Sequence, residues 1–436
     1  MRYCSRCVYP ENARPATIFD EQGVCSGCRY HESRSRINWK EREKALKEIL
    51  STYKAKAKAA GNPYDCIIPV GGGKDSHYQT YLLKEVYGMN PLLVTYNHAF
   101  NTRLGIRNLN NLVARFGCDL IRFTSNPVSV RKISRYMIKK VGDLTWHYHA
   151  GIRTFPFQVA VKYEIPLVVW GEHGFAELVG MFTLSDLVEH TKWVRQEHDM
   201  RGLEPEDIIN EESGITWHDV APFVYPADEE LEEVGVRGIY LSNYIYWDAK
   251  RQAELVIEKC GFKIFQGKRD RTFCLFAKTD DHANDVHDYM KYLKFGYGRG
   301  TDDASVEIRH GRMTREEGID MVRQYDPVRP RTLDVYLKFL GVTEKEFEDS
   351  FEYLRDRSIW KKDEKGNWFV EDSVVNHVNS LNVEKVRVPQ VEDRTFSKHN
   401  SHLYYCGDRG SAVQQPRRWD TNLLTLDNDD DAFIVL

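Results

Sequence analysis

The 436-residue chain has no apolar run near the roughly 20 residues that a membrane-spanning helix needs, so a bundle of spans is excluded. It also lacks a basic excess. Its 61 Lys and Arg stand against 65 Asp and Glu, giving a formal charge of −4 and a pI near 6.4. That leaves no electrostatic footprint for nucleic acid. The start, MRYCSRC, has no apolar stretch of the kind found in a signal peptide, so a cytoplasmic protein with reduced thiols is expected. Arg2, not cysteine, follows the first methionine, and no second cysteine–histidine glutaminase signature stands elsewhere. An N-terminal-nucleophile glutaminase is therefore not expected. Repeats and low-complexity tracts are missing. What remains is an ordinary globular composition, 42% hydrophobic and 29% charged, in a chain long enough for two or three domains.

Of the nine cysteines, four form two close pairs, Cys4-x-x-Cys7 and Cys25-x-x-Cys28. Each pair can offer two thiolates to one tetrahedral ion, and two pairs fill a closed structural zinc site. The intervening residues read as a hairpin turning at 20–23, which brings the pairs together. A redox or iron–sulfur role is the alternative.

Residues 64–87 are the most informative stretch. The apolar run Cys66-Ile67-Ile68-Pro69-Val70 leads into Gly71, Gly72 and Gly73, then Lys74, Asp75 and Ser76, where a helical pattern begins. A strand, a glycine turn and a helix N-terminus direct backbone N–H groups at an anion. Lys74 adds a point charge, and Ser76 is expected to supply a hydroxyl and the helix cap. A Walker A loop is excluded, because Ile68 stands where its first glycine belongs and Asp75 follows the lysine. A glycine-rich surface turn without a ligand is the plain alternative.

From residue 64 onward, short β-rich runs at 64–70, 91–96, 118–124, 166–171 and 237–242 alternate with helical stretches at 76–87, 103–116, 127–141, 150–163 and 247–260. Alternation of this kind predicts a doubly wound parallel α/β sheet, whose ligands bind beyond the carboxyl ends of the strands. Tyr96, Asn97 and His98 after the second strand are placed to meet adenine. Gly171, Glu172, His173, Gly174 and Glu177 after the fourth are placed to hold Mg2+ or orient an acceptor. Trp146-His147-Tyr148-His149 offers alternate histidines that would share one face of a strand, as a metal site needs, but no third ligand is evident and a substrate-facing or capping role is preferred; Arg153 reads as a contact for phosphate or carboxylate. The long insertion 173–230 reads as a cover over the acceptor. Beyond 280 the pattern is helical, and Arg299, Arg309 and Arg312 among glycines suit pyrophosphate or a sugar diphosphate, or else a solvated helical surface. The expected division is a zinc module at 1–38, a bridging helix at 39–62, a nucleotide domain at 63–280, a helical region at 281–378 and an irregular tail at 379–436.

The hexad 71–76 resembles the SGGxDS loop of the PP-loop ATP pyrophosphatase superfamily, with glycine replacing the first serine. The two CxxC pairs, this loop, Gly171-Glu172-His173-Gly174 and the segment FGYGRGTDD…IRHGRMTREEG together resemble the N-acetyl sugar amidotransferase family, over about residues 1–375. The resemblance implies conversion of an acetamido group on a nucleotide-linked sugar to an acetamidino group, with ATP split into AMP and pyrophosphate. It implies Lys74, Asp75, Ser76, Glu172 and Arg153 as catalytic residues, and Gly71, Gly72, Gly73, Lys74, Asp75, Ser76, Tyr96, Asn97, Gly171, Arg299 and Arg309 around ATP. Mg2+ would sit on Asp75 and Glu177, and structural Zn2+ on Cys4, Cys7, Cys25 and Cys28. A glutaminase subunit and a cyclase-like barrel subunit are the expected ammonia-supplying partners. A PP-loop tRNA thiolase is the rival enzyme, although the cysteines at 66, 118, 260, 274 and 406 form no further CxxC pair. A non-catalytic nucleotide-binding scaffold is the other alternative.

Overall fold

The computed structural model describes residues 1–377. The expected tail at 379–436, with its acidic run at 427–431, lies outside the described residues. Five strands form one parallel sheet: β1 (Cys66–Pro69), β2 (Pro91–Asn97), β3 (Leu120–Thr124), β4 (Leu167–Trp170) and β5 (Arg237–Tyr240), in the order β3-β2-β1-β4-β5. Ile67 of the central strand faces Leu92 on one side and Val168 on the other. The outer edge of β5 is covered where His190 pairs with Gly238. The chain leaves β1 toward β2 and β3, then crosses back to β4 and β5. The crevice between the ends of β1 and β4 is therefore the switch point of the sheet.

Local chemistry explains the helix bounds. Asn126 accepts the Val128 N–H at 2.9 Å, Pro127 opens the helix Pro127–Val141, and Gly142 at φ 63° closes it. The helix Trp39–Ala60 has the expected bounds and buries Leu46, Leu50, Tyr53 and Ala57 along one stripe.

Two local expectations need correction. The helix after the glycine turn starts at Lys74 with Gly73 as its cap, so Ser76 does not cap it. The next helix but two runs Trp146–Lys162, so Trp146-His147-Tyr148-His149 is helical and not strand-like. That helix is buried on several sides, leaving no one-sided periodicity to mark its start.

After Arg237–Tyr240 come the helix Ala249–Cys260 and a long irregular stretch. Five helices follow: Ala283–Phe295, Arg299–Arg309, Arg315–Tyr325, Leu333–Leu340 and Glu344–Phe351. Thr314 and Glu317 form the capping box their spacing predicts. A short antiparallel hairpin, β6 (Trp360–Lys362) and β7 (Trp368–Val370), went unread because three-residue strands carry no periodicity. One apolar core joins Val8 and Val24 of the cysteine module, Leu46 and Leu50, the sheet, and Ile308 and Ile319. The divisions at 38, 62 and 280 stand as a proposal about sequence organisation. Among the described residues, no helix is long and apolar enough to cross a membrane.

Candidate active site

The glycine turn is shaped by close contacts. Gly72 sits at φ +89°, and a Cβ there would come within 2.8 Å of the Gly105 carbonyl oxygen. A Cβ on Gly71 would lie 2.7 Å from Asp280 Oδ2, so a residue from the distant irregular stretch leans directly on the turn. Ser76 Oγ accepts the Gly71 N–H at 3.0 Å and closes the turn from inside. The Lys74 side chain is buried, with its ammonium 2.5 Å from Asp75 Oδ1. Burial alone would lower its pKa, but the carboxylates of Asp75 and Glu172 outweigh this and hold it above the usual lysine value.

The turn forms one wall of a cavity of about 370 Å3 at the carboxyl ends of β1, β2 and β4. Tyr96 and His98 line it after β2, Tyr148 and Ile152 from the helix Trp146–Lys162, and Trp170 and Glu172 around the end of β4. A further wall, which adjoins the turn at Asp280, comes from the irregular stretch and the helix Arg299–Arg309, through Cys274, Lys278, Asp280, Arg299, Asp303 and Glu307. Burial, and then the Asp75 carboxylate, push the Glu172 carboxyl up to about 7, with Lys74 pulling the other way. His98 Nδ1 lies 3.3 Å from Asp281 Oδ2, and burial drives its pKa down to about 3, so it is neutral near pH 7.

Several expected site residues lie elsewhere or are already engaged. Asn97 donates to Thr124 Oγ1 at 3.0 Å and accepts the Ala99 N–H at 3.2 Å, so it ties off the strand end and does not line the cavity. Tyr96 lines the cavity, but its hydroxyl is held by Ser125 at 2.8 Å and His147 at 3.2 Å. Gly171 backs onto Gln79 and Trp247 and is not in the lining. Arg153 pairs with Asp199 at 3.2 Å and stacks over Trp170 at 4.6 Å, which makes it a support behind the wall instead of a group touching the reacting atoms. Glu177 reaches the cavity rim, yet its carboxylate is paired with Arg34 from the cysteine module. Arg299 does face the cavity, gripped by Asp288 at 3.0 and 3.2 Å.

Arg309 is the clearest correction. It donates to the Glu177 and Leu178 carbonyls at 3.1 and 2.9 Å, and its Nη2 lies 3.7 Å from Cys25 Sγ and 3.9 Å from Cys7 Sγ. It serves the cysteine cluster, not a phosphate. Arg312 is also committed, to Asp248 and Glu307. Of the insertion 173–230, only Glu177 and Leu178 line the cavity. Met200, Ile208, Ile215 and Phe223 instead pack with Tyr96, Met137 and Trp146 in a separate apolar cluster.

The Sγ atoms of Cys4, Cys7, Cys25 and Cys28 all lie within 4.8 Å of one another, with Cys7–Cys25 at 3.6 Å and Cys4–Cys28 at 3.9 Å. Thiolates about 2.3 Å from a tetrahedral zinc ion stand roughly 3.8 Å apart, so the four residues fit structural zinc. Such a centre carries net negative charge. Arg309 offsets it from one side, and Arg315 donates to the Cys4 and Cys7 carbonyls at 3.3 and 3.1 Å.

Sequence reasoning missed Lys278, Asp280, Asp303 and Glu307 as cavity residues, whereas Tyr148 lies in the stretch it read as facing substrate. Lys278 and Asp280 sit in a stretch without helix or strand, and only the cluster of charges in KTDD marked it.

Comparison with known proteins adds to this picture. Residues 265–373 match the family "LPS biosynthesis protein WbpG-like, C-terminal domain". That range holds the whole wall formed by the irregular stretch and the helix Arg299–Arg309, and the arginine–glycine segment that carries the amidotransferase resemblance. An uncharacterized protein of Methanocaldococcus jannaschii is 29% identical over 118 residues, 27% of this chain, and the chain spans only 41% of that relative's length. Among solved structures, an NH3-dependent NAD synthetase from Campylobacter jejuni aligns at 14% identity and a TM-score of 0.25, over 35% of this chain and 65% of its own. An NMN synthetase from Francisella tularensis aligns at 13% identity and a TM-score of 0.25, over 48% and 93%. Overlaps that weak carry no argument.

Proposed function

We propose, from the match of residues 265–373 to a WbpG-like C-terminal domain of lipopolysaccharide biosynthesis, that the chain is an ATP-dependent, AMP-forming amidotransferase. It converts the acetamido group of a nucleotide-linked N-acetyl sugar into an acetamidino group. The observation that carries this reading is convergence. The anion-receiving turn with Lys74, the poised carboxyl of Glu172, and a wall from the WbpG-like domain all meet in one cavity.

An amide oxygen is a poor leaving group. Its attack on the α-phosphorus of ATP breaks the Pα–O bond to pyrophosphate and turns that oxygen into part of an adenylate. Lys74 and the N-terminus of the helix Lys74–Thr80 meet the negative charge. Six carboxylates line the cavity against Lys74, Lys278 and Arg299: Asp75, Glu172, Glu177, Asp280, Asp303 and Glu307. An acidic excess suits a nucleotide that arrives with Mg2+, which offsets phosphate charge, and it suits ammonium as a second substrate. Asp75 and Asp280 are the carboxylates nearest the turn and would hold the Mg2+. Glu172 takes a proton from ammonium, freeing the nitrogen lone pair to add at the imidate carbon. AMP then leaves with the original carbonyl oxygen, and the amidine remains. Water inside the cavity would return the adenylate to the amide, so an enclosing wall has a chemical reason.

The same reading makes the chain cytoplasmic, fed with ammonia by a glutaminase subunit and a cyclase-like barrel subunit. One observation favours a second reading: Cys274 lines the cavity, as a sulfur-transferring tRNA thiolase would require. Mass spectrometry of a nucleotide-sugar pool incubated with protein, ATP and ammonium tests the choice. The amidotransferase gives a product lighter by the difference between O and NH, retains activity in Cys274→Ser, and loses about a hundredfold or more in Lys74→Ala. An unchanged pool, with tRNA bound in a steeply salt-dependent way, overturns it.

A further inference from the structure

The cavity's three cations are not equivalent. Lys74 has Asp75, and Arg299 has Asp288 at 3.0 Å and Asp302 at 3.4 Å. Among the described residues, the Lys278 ammonium donates to a neutral oxygen, Asn284 Oδ1, at 3.0 Å. The carboxylates of Asp288 and Asp280 act on it from farther off, against repulsion from Arg299 and Lys291. Burial, the largest influence, lowers its pKa below the usual lysine value. A cation held in a cavity wall with only a neutral amide for a partner is costly unless an anion comes to it.

The backbone around Lys278 is built to hold this arrangement. Lys278 sits at φ +48°, a left-handed conformation that a lysine adopts only under constraint. The constraint is visible. Arg269 donates to the carbonyls of Cys274 at 3.1 Å, Ala277, and Lys278 at 3.4 Å. On the other side, the Thr102 N–H donates to the Asp280 carbonyl at 3.1 Å and the His282 N–H to the Phe100 carbonyl at 2.9 Å. Thr102 Oγ1 adds a bond of 2.5 Å to the Thr279 carbonyl. The turn is thus clamped between Arg269 and the start of the helix Arg103–Phe116, and Lys278 lines the cavity two residues before Asp280, whose carboxylate leans on Gly71.

We propose that Lys278 is the cation that binds the diphosphate of the acceptor, a nucleoside-diphosphate N-acetyl sugar, while Lys74 serves the phosphates of ATP. This rests on the amidotransferase reading. Lys278 belongs to the range that matches the WbpG-like C-terminal domain of lipopolysaccharide biosynthesis, whereas Lys74 belongs to the turn after β1.

Calorimetric titration of the full chain with Mg·ATP and with UDP-N-acetylglucosamine tests the assignment. The proteins are the wild type, Lys74→Ala, Lys278→Ala and Lys278→Arg, each checked for an unchanged melting temperature. Lys278→Ala is expected to weaken the sugar nucleotide by at least about tenfold and Mg·ATP by less than about threefold, with Lys278→Arg recovering most of the loss. Lys74→Ala gives the reverse pattern. If Lys278→Ala weakens Mg·ATP more than the sugar nucleotide, the cation belongs to ATP and the assignment is overturned. Loss of neither affinity, or a wild type that binds Mg·ATP but not the sugar nucleotide, overturns it equally. A wild type that binds no Mg·ATP removes the amidotransferase reading itself.

Discussion

Gly71→Ser, which would give the glycine turn the first serine of the loop it resembles, is expected to damage this protein. By sequence comparison alone, the change returns a hydroxyl that the superfamily pattern includes, and tighter ATP binding would follow. The structure reverses the sign, because the new Cβ would lie 2.7 Å from Asp280 Oδ2. No real Cβ contact is that short, so one group must move. The Asp280 backbone is fastened to Thr102, which leaves only its carboxylate free to swing away from the turn. Overpacking of this kind costs about 1–3 kcal/mol. The displaced carboxylate also leaves the place where it would help hold Mg·ATP. Urea unfolding and titration with Mg·ATP read the two effects. Gly71→Ser should lower the unfolding midpoint and weaken Mg·ATP, and adding Asp280→Ala should recover stability, with a coupling of about 0.5–3 kcal/mol between the sites. A Gly71→Ser protein as stable as wild type, binding Mg·ATP equally well or better, refutes the idea that Asp280 occupies the serine's place.

Three further outcomes follow from the site and its surroundings. The purified chain should carry about one zinc per molecule, and stripping it with a strong chelator should cause a large loss of thermal stability, since structural zinc contributes on the order of 10 kcal/mol to such modules; metal analysis with calorimetry reads this, and a metal-free, equally stable protein contradicts it. In the proposed reaction Glu172 is the base, with its carboxyl pushed up to about 7, so kcat should fall as pH drops below that value, and Glu172→Gln should remove that limb and most of the rate; a rate flat from pH 8 to about 5.5 contradicts the assignment. Glu254 is raised to about 8, by burial and the Asp248 carboxylate against Lys250 and Arg312. A buried acid with a raised folded pKa binds more protons folded than unfolded between its ordinary value and about 8, so stability drains away as pH rises through that window, by up to roughly 1.4 kcal/mol per pH unit. Glu254→Gln should flatten that slope in denaturation midpoints taken across the range; an unchanged slope contradicts the shift.

What the sequence disclosed follows from how local each signal is. The helix Pro127–Val141 was legible to the residue because Asn126, Pro127 and Gly142 are local caps. The turn at 71–76 and the cysteine pairs were legible because glycines and CxxC spacings carry their geometry with them. The start of the helix at Trp146 was not, since burial on several sides erases amphipathic periodicity. Arg309 was misread as a phosphate contact, because nothing local reveals that its guanidinium meets a sulfur 284 residues away in the sequence. The insertion 173–230 looked like a cover by its length, yet Met200, Ile208, Ile215, Val220 and Phe223 pack with Met137 and Trp146 in an apolar cluster of their own. The stretch 274–284, which does line the cavity, is held by Arg269 and Thr102 through bonds to backbone carbonyls, and no periodicity encodes those.

The decisive measurement follows one atom. A nucleotide-linked N-acetyl sugar labelled with heavy oxygen in its acetamido carbonyl is turned over with the protein, ATP and ammonium, and the released nucleotides are weighed. Attack of that oxygen on the α-phosphorus predicts label in AMP, in step with pyrophosphate and amidine. Unlabelled AMP, or ADP with labelled orthophosphate, contradicts the adenylation that the whole cavity is argued to perform.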